Sequence, residues 1–95
     1  MKVVVIYDIS DDDVRLRVSK LLEAYGLSRI QRSAFVGDMM RARALDLARR
    51  LETIIDHETD VVHMVFVQPQ DWPKTIVIGK PLWASGVIDA VHILR

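Results

Sequence analysis

The alternation of apolar and polar residues near the N-terminus predicts a strand at the centre of a sheet. The segment Lys2 to Tyr7 is apolar on both faces and rich in β-branched side chains, which is typical of a strand with neighbours on each side. The two-residue period of a strand places Val4, Ile6 and Asp8 on one face. We therefore expect an acidic side chain where this central strand ends.

The next segment has the apolar spacing of an amphipathic helix. Ser10, with Asp13 three residues later, approximates a capping box, and acidic residues in a first turn suit the helix dipole. Gly26 closes the predicted helix. Its inward-facing residues are Val14, Val18, Leu21, Leu22 and Tyr25.

An extended stretch and a second helix follow. The stretch Leu27 to Asp38 is either one bent strand or a hairpin that turns near Arg32 and Ser33. Gly37-Asp38 ends the stretch and is expected to cap a helix from about Met39 to His57. The residues of this helix that are predicted to face inward are Ala44, Leu47, Ala48, Leu51, Ile54 and Ile55.

Three further extended segments are predicted at Val61 to Val67, Thr75 to Gly79 and Val87 to Leu94. The order strand, helix, extended pair, helix, strand is the βαββαβ order of an α+β, ferredoxin-like fold, with two helices on one face of an antiparallel sheet. We expect one domain over residues 1–95. The last two strands exceed the ferredoxin-like plan, so the C-terminal segment, about residues 84–95, is predicted to exchange strands in a homodimer.

Charge is unevenly distributed along the chain, although 13 basic and 13 acidic residues balance overall. Between Val14 and Arg50 nine basic residues face three acidic ones, a local excess of six positive charges. Such an excess can form a basic face that attracts nucleic acid. Two ordinary solvated helix faces would explain the same pattern.

Composition removes several kinds of chemistry. The chain has no cysteine, which excludes disulfides, thiolate zinc sites and cysteine nucleophiles. No apolar run approaches the roughly 18 residues of a membrane span. Because Met1 leads directly into a strand-like run without the regions of a signal peptide, we expect a cytoplasmic protein with no membrane association.

The histidines and tryptophans are weaker candidates for functional residues. His57, His63 and His92 are too far apart for a local metal-binding motif, and no glycine-rich phosphate loop is present. We interpret His63 and His92 as structural strand residues and His57 as a helix-end residue. Trp72 and Trp83, which flank the short strand beside prolines, are interpreted as packing residues, with base stacking as the alternative.

Asp8 is the strongest candidate for chemistry, because Asp11, Asp12 and Asp13 suit helix capping better than metal binding. Magnesium takes six oxygen ligands in an octahedral arrangement, usually from one or two carboxylates plus waters and phosphate oxygens. A twofold axis would bring a second copy of Asp8 to the same ion. A buried or capping structural role for Asp8 is the alternative at this point.

The stretch VVVIYDISDDDVRLRVSKLLEAYGLSRIQRSAFVGDM, residues 3–39, resembles the N-terminal signature of the CRISPR-associated protein two family, the small endonuclease-fold protein of the spacer-acquisition module. The resemblance rests on a strand that ends in Tyr-Asp, an arginine-bearing helix that ends at Tyr-Gly, and the motif Arg-Ile-Gln-x-Ser-x-Phe. TIVIG, residues 75–79, is similar to the short distal strand of the family, so the resemblance covers about the first 80 residues.

This resemblance implies a ferredoxin-like homodimer in which C-terminal strands complete the sheet of the partner. It implies that Asp8 is the metal-binding and catalytic acid. The residues matched to its nucleic-acid-binding arginines and to the Ser and Phe of its strand motif are Arg15, Arg17, Arg29, Ser33 and Phe35. Many members carry an acid directly after that Phe, whereas this chain has Val36, so Asp8 is the one carboxylate matched to a ligand in each subunit.

Two functions in CRISPR antiviral defence are compatible with the resemblance. The first is a metal-dependent endonuclease that cuts RNA or DNA with magnesium, or manganese in its place, held by Asp8 of both subunits. The second is a non-catalytic adaptor that bridges dimers of the CRISPR integrase, CRISPR-associated protein one, and holds pre-spacer DNA on a basic surface. A ferredoxin-like small-molecule sensor is a third class, although no segment of the chain resembles a ligand loop.

Overall fold

The computed structural model describes residues 1–81 and 92–94 of the chain. Most of the predicted C-terminal strand, and Trp83 with it, lie outside these residues. The elements in chain order are β1 (Lys2–Asp8), α1 (Asp12–Ala24), β2 (Ser28–Gln31), β3 (Ala34–Asp38), α2 (Arg41–Ile54), β4 (Val61–Val67), a 3-10 turn (Trp72–Lys74), β5 (Ile76–Ile78) and β6 (His92–Leu94).

The main sheet has four antiparallel strands in the order β2-β3-β1-β4, so β1 is the central strand that the sequence predicts. The two helices connect these strands in the βαββαβ order, which confirms the ferredoxin-like fold. The short β5 and β6 pair with each other in parallel, with Ile76 opposite His92. No helix within residues 1–81 and 92–94 has the length and apolar character that crossing a membrane requires.

The helices cover one face of the sheet because alternate residues of β1 are apolar and buried there. Val3 and Val5 are fully buried and Tyr7 is nearly so. The inward residues of the helices complete this core, the most buried being Val18, Leu22, Ala44, Leu47 and Leu51. On the other face Ile6 is 45% exposed, so the sheet presents an apolar surface away from the helices.

The Leu27 to Asp38 stretch is the hairpin rather than the bent strand. Residues 32 and 33 form the turn between β2 and β3, and the pairing shifts register between Arg29 and Gln31. The carbonyl of Ser33 accepts a hydrogen bond from the backbone N–H of Tyr7 at 3.0 Å, which joins the turn to the end of β1. Gly26 precedes the hairpin with a φ of 86°, a left-handed conformation that glycine adopts without steric cost.

The predicted capping box of α1 is wrong. The helix begins at Asp12, and Asp11 is its N-cap, because the Asp11 carboxylate accepts the backbone N–H of Val14 at 3.0 Å. Ser10 lies before the cap, and its backbone N–H instead donates to the carboxylate of Asp60 at 3.1 Å. Four polar residues stand in a row at this position, and contacts distant in sequence decide which one caps the helix.

The second helix is shorter than predicted, and its predicted cap is also wrong. Asp38 is the last residue of β3, where its carboxylate accepts the Lys2 ammonium at 2.8 Å; the N-cap is Met40, which forms no side-chain cap bond. At the other end Ile55 has an extended backbone, with φ −78° and ψ 158°. His57 follows the helix, with a ring nitrogen 2.8 Å from the carbonyl oxygen of Glu52.

The remaining histidines and the described tryptophan lie where the sequence places them. His63 is in β4, opposite Ile6, and His92 is in β6. Trp72 begins the 3-10 turn, is partly buried, and lies with its ring centroid 5.8 Å from the Lys2 ammonium nitrogen. This contact fits the interpretation of Trp72 as a packing residue.

Candidate metal and nucleic-acid site

Asp8 ends β1 on the face of the sheet that the helices leave open. Its partner in the ladder is Val61, the first residue of β4, and Ile6 precedes it on the same face. The side chain of Asp8 is exposed, and Asp11 caps the neighbouring helix instead. Among the described residues, no side chain or backbone group forms a hydrogen bond or ion pair with the Asp8 carboxylate. The described part of the chain therefore leaves its oxygens open to a ligand.

A divalent cation fits Asp8 only in part. A carboxylate oxygen is the hard donor that magnesium prefers, but magnesium takes several such oxygens. Within residues 1–81 and 92–94, no three acidic or histidine side chains lie close enough together to hold a metal ion. Val36, at the position where the resemblance implies an acid, is 1% exposed, and its side chain carries no oxygen. In the homodimer that the sequence predicts, a second copy of Asp8 would supply a further carboxylate ligand.

A basic cleft of about 220 Å³ opens on the helical side at the same end of β1. Arg15 of α1 and Arg29 of β2, two of the predicted nucleic-acid-binding residues, line this cleft together. The other lining residues are Tyr7, Asp12, Leu16, Ser19 and Arg32. Arg32 was not predicted as a site residue, although its place in the turn beside the matched motif could have indicated it.

Arg17, the third predicted arginine, does not line the cleft. Residues two positions apart on a helix point roughly 200° apart, so Arg17 projects from a different side of α1 than Arg15 does. Its side chain is exposed. The structure therefore brings Arg15 and Arg29 together and separates Arg17 from them.

The cleft arginines are held by the protein. Arg15 donates from Nη1 to the carbonyl of Ile9 at 2.8 Å and forms an ion pair with Asp12. Arg29 donates from Nη1 to the carbonyl of Arg32 at 2.5 Å. These bonds place the two guanidinium groups at one surface and reduce the entropy they would lose on binding a phosphate.

Aromatic rings form the floor beneath Arg29. Its Cζ atom lies 4.8 Å from the centroid of the Phe35 ring, and the Phe35 and Tyr7 rings stack with centroids 6.3 Å apart. Phe35 is fully buried, so its role is to support Arg29 from the core. Burial raises the pKa of Tyr7, against the opposing effects of the Arg29 and Arg15 charges, so the phenol is protonated at neutral pH.

A second group of arginines lies where α1 meets α2. The Cζ atoms of Arg43 and Arg50 lie 4.6 Å and 5.8 Å from the Tyr25 ring centroid. The Tyr25 hydroxyl donates to Asp46, which also pairs with Arg50 at 3.7 Å. These contacts hold part of the basic segment against its own helices, as expected for solvated helix faces. The excess positive charge therefore lies in two places, around Tyr25 and in the cleft. The cleft is at the Asp8 end of β1.

Comparison with known proteins identifies the chain. The family described as CRISPR associated protein Cas2 matches residues 1–75. The chain belongs to this family. The match includes β1, both helices, the hairpin and β4, and it confirms the resemblance found in the sequence.

Individual relatives agree with this assignment. The CRISPR-associated endoribonuclease Cas2 2 of Pyrobaculum aerophilum is 43% identical over 89 residues, which cover 94% of this chain and 98% of that protein. The crystal structure of Streptococcus pyogenes Cas2 at pH 6.5 matches with a TM-score of 0.67 and 31% identity, over 76% of this chain and 90% of that chain.

A third relative is longer. The CRISPR-associated endonuclease Cas1/endonuclease Cas2 fusion of Thermoproteus tenax is 55% identical over 51 residues, which are 54% of this chain and only 19% of the fusion protein. In that protein a Cas1 part and a Cas2 part share one polypeptide.

Proposed function

We propose that the chain acts in CRISPR spacer acquisition as a homodimeric, magnesium-dependent endonuclease that cuts RNA or DNA through Asp8 of both subunits. The observation that carries this proposal is the position of Asp8. Its carboxylate is exposed at the end of β1, at the same end as a cleft that contains Arg15 and Arg29. The site thus combines a hard metal ligand with cations that suit phosphates.

The open face of the sheet supports the homodimer. Ile6, Val61 and Val65 are each between 44% and 45% exposed, and all three lie on the same face as Asp8. Covering these apolar side chains with a second copy is favourable, since roughly 25 cal/mol is gained for each Å² of apolar surface buried. Contact across this face would bring the two Asp8 residues towards one another.

The proposed chemistry divides between the ion and the protein. Bound magnesium, or manganese, would activate water and stabilise the leaving oxygen of the phosphodiester. Asp8 of each subunit would hold the ion, and Arg15 and Arg29 would bind the phosphates on either side of the scissile bond. Their contacts are to the backbone, so we expect little sequence preference.

A second candidate function is the DNA-binding adaptor that holds pre-spacer DNA and bridges dimers of the CRISPR integrase. The basic cleft favours it, because phosphate binding by Arg15 and Arg29 does not require Asp8. The Thermoproteus tenax relative, in which Cas1 and Cas2 are fused, supports an integrase as the protein partner. The two functions are compatible in one protein, and they differ in whether Asp8 is required.

The decisive experiment compares highly purified wild-type protein with the Asp8→Asn variant, with and without magnesium, on RNA and DNA substrates. Asp8→Asn preserves size and removes the charge of an exposed residue, so we expect an intact fold, no magnesium-dependent cleavage and unchanged nucleic-acid affinity. Asp13→Asn is the matched control, because Asp13 is an exposed acid in the first turn of α1. Cleavage by Asp8→Asn at the wild-type rate would reject the nuclease proposal and favour the adaptor.

A further inference from the structure

A single peptide group just after Asp8 is held at both of its ends. The carbonyl of Ile9 accepts a hydrogen bond from Nη1 of Arg15 at 2.8 Å. The N–H of Ser10, which belongs to the same peptide group, donates to Oδ1 of Asp60 at 3.1 Å. The Ile9–Ser10 peptide group therefore lies between a cation and an anion.

This arrangement matches the polarity of the peptide group. The guanidinium of Arg15 faces the electronegative carbonyl end, and the carboxylate of Asp60 faces the N–H end. Rotation of the peptide group would place the carbonyl towards Asp60 and the N–H towards Arg15, and both contacts would become unfavourable. The Ile9 side chain, only 3% exposed, adds a third constraint on the junction between β1 and α1.

Asp60 is itself anchored in the turn between α2 and β4. Its Oδ2 accepts the N–H of Asp56 at 3.0 Å, and its own N–H donates to the carbonyl of Asp56 at 2.8 Å. The Thr59 hydroxyl donates to Oδ1 at 3.1 Å. The N–H donors of Asp56 and Ser10 hold the pKa of Asp60 below its ordinary range, so the carboxylate is charged at neutral pH.

The position of Asp60 connects this turn to the candidate site. Asp60 directly precedes Val61, which pairs with Asp8 at the last position of the β1–β4 ladder. The bond from Ser10 to Asp60 therefore extends the link between the two strands beyond Asp8 and crosses 50 residues of sequence. Asp8 is fixed by the ladder on one side and by the clamped Ile9–Ser10 peptide group on the other.

We propose that Asp60 is a positioning residue of the Asp8 site, which acts with Arg15 to fix the Ile9–Ser10 peptide group and thereby the direction in which the Asp8 carboxylate projects. The inference rests on the proposed function of Asp8 as a metal ligand. Both oxygens of Asp60 accept backbone N–H groups, one from Ser10 and one from Asp56, which fits a positioning role. Arg15 then has two tasks, because it also lines the phosphate-binding cleft.

Three variants of the full-length chain test this role by their magnesium affinity, measured by calorimetry, and by kcat and KM for cleavage. Asp60→Ala removes the acceptor of the Ser10 N–H. We expect about tenfold weaker magnesium binding and a similar loss in kcat, with KM for nucleic acid little changed. Asp60→Asn retains one acceptor oxygen, which can still accept the Ser10 N–H while the bond from the Asp56 N–H is lost, so we expect its magnesium affinity to stay within about threefold of wild type. Asp56→Ala is the matched control, because the Asp56 carboxylate accepts the Glu58 N–H within the same turn and does not contact Ser10.

The variants separate positioning from the two competing roles. If Asp60→Asn kept the wild-type amide shift of Ser10 but lost as much magnesium affinity as Asp60→Ala, Asp60 would be a ligand and the proposal would be rejected. If Asp60→Ala lowered stability but left magnesium affinity and kcat unchanged, its role would be purely structural, and the proposal would also fail. Ser10→Pro removes the donated N–H while Asp60 stays in place, and it gives the same test if Asp60→Ala does not fold.

The Asp8→Asn variant distinguishes failure of the positioning role of Asp60 from failure of the proposed function of Asp8. If Asp8→Asn left magnesium affinity unchanged, Asp8 would not be the metal ligand and both proposals would be wrong. If Asp8→Asn abolished magnesium binding while Asp60→Ala bound it normally, only the positioning role would be wrong. In metal-free protein, the NMR amide shift of Ser10 should change in Asp60→Ala and stay close to wild type in Asp56→Ala.

Discussion

The Cζ atom of Arg29 lies 4.8 Å from the centroid of the Phe35 ring, which is fully buried in the core. Arg29 also donates to the carbonyl of Arg32 at 2.5 Å, so its charged group is fixed at the wall of the cleft. A lysine could supply the same charge, but its ammonium group lacks the planar guanidinium that Arg29 presents to the ring. Arg29 therefore connects the candidate site to the hydrophobic core.

Arg29→Gln should weaken nucleic-acid binding to a similar degree for any sequence, because the contact it removes is to phosphate. The slope of log affinity against log salt should decrease by about one unit. Arg29→Lys should give an intermediate affinity, since the charge is retained and the contact with Phe35 is lost. Fluorescence anisotropy with labelled duplexes over a range of salt concentrations would measure both quantities.

Arg49→Gln is the matched control for Arg29→Gln, because Arg49 is an exposed arginine of α2 that does not line the cleft. It should leave the affinity within about twofold of wild type, apart from a small general effect of net charge. An equal loss in both variants would indicate diffuse attraction to the basic segment and would contradict a specific role for the cleft.

Gly26→Ala should destabilise the fold by about 1 kcal/mol. Gly26 has a φ of 86°, and a Cβ atom added there would meet nothing within 4 Å, so the cost is confined to the backbone conformation. Gly26→Asn should cost less, because asparagine tolerates the left-handed region. Urea unfolding of the three proteins would give the free energies, and an Ala variant as stable as wild type would exclude the left-handed conformation at this position.

Deletion of residues 85 to 95 should convert the proposed dimer to monomer or aggregate. The deletion removes β6, which pairs with β5, together with the rest of the segment predicted to exchange between subunits. Light scattering at micromolar concentration would measure the mass. A truncated protein that remained dimeric would rule out strand exchange as the basis of assembly.

Ile6→Glu tests the open sheet face separately from the C-terminal segment. Ile6 is 45% exposed, so a charged residue there should leave the fold of each chain intact while it disfavours burial against a second copy. We expect monomers with the wild-type circular dichroism spectrum. Leu45→Glu is the matched control, because Leu45 is an exposed residue of α2 that lies neither on the open sheet face nor in the cleft.

The order of strands and helices was predictable because the periodicity of apolar residues is strong in β1, α1, α2 and β4. The helix boundaries were less predictable from the sequence. Ser10 and Asp11 both have side chains that cap helices; the structure uses Asp11, while the backbone N–H of Ser10 bonds Asp60, 50 residues away. Asp38 resembles a cap in sequence, but the sheet pairs it with Lys2. Such contacts leave no signal in local sequence.

The candidate site was predictable where a motif marked it. Asp8, Arg15 and Arg29 follow from the family resemblance, and the structure places all three at one end of β1. Arg17 carries the same resemblance but lies outside the cleft, which helix geometry alone could have indicated. Asp60 was not predictable, because an acid before a strand has no pattern that distinguishes it from an ordinary turn residue.

The two tyrosines of the chain offer a test of the electrostatics of the cleft. Burial raises the pKa of Tyr7, and the hydrogen bond to Asp46 raises the pKa of Tyr25, since the protonated phenol donates to a carboxylate. Because the chain contains only these two tyrosines, each Tyr→Phe variant leaves one titrating phenol that can be followed by absorbance.

Tyr7 should make the protein sensitive to alkaline pH. The folded state has the raised pKa, so it holds the Tyr7 proton more tightly than the unfolded chain does. The buried, protonated Tyr7 therefore contributes its full stability below the ordinary tyrosine pKa of about 10. The protein loses this contribution as the pH rises through the raised pKa of Tyr7. Tyr7→Phe should remove this part of the alkaline loss in urea unfolding experiments, and Tyr25→Phe should leave it in place.

Arg29→Gln should raise the pKa of Tyr7 further, because the Arg29 charge lowers it in the wild-type protein. If Tyr7, followed alone in Tyr25→Phe, titrated like a free tyrosine, its burial beside Arg29 and Phe35 would be contradicted.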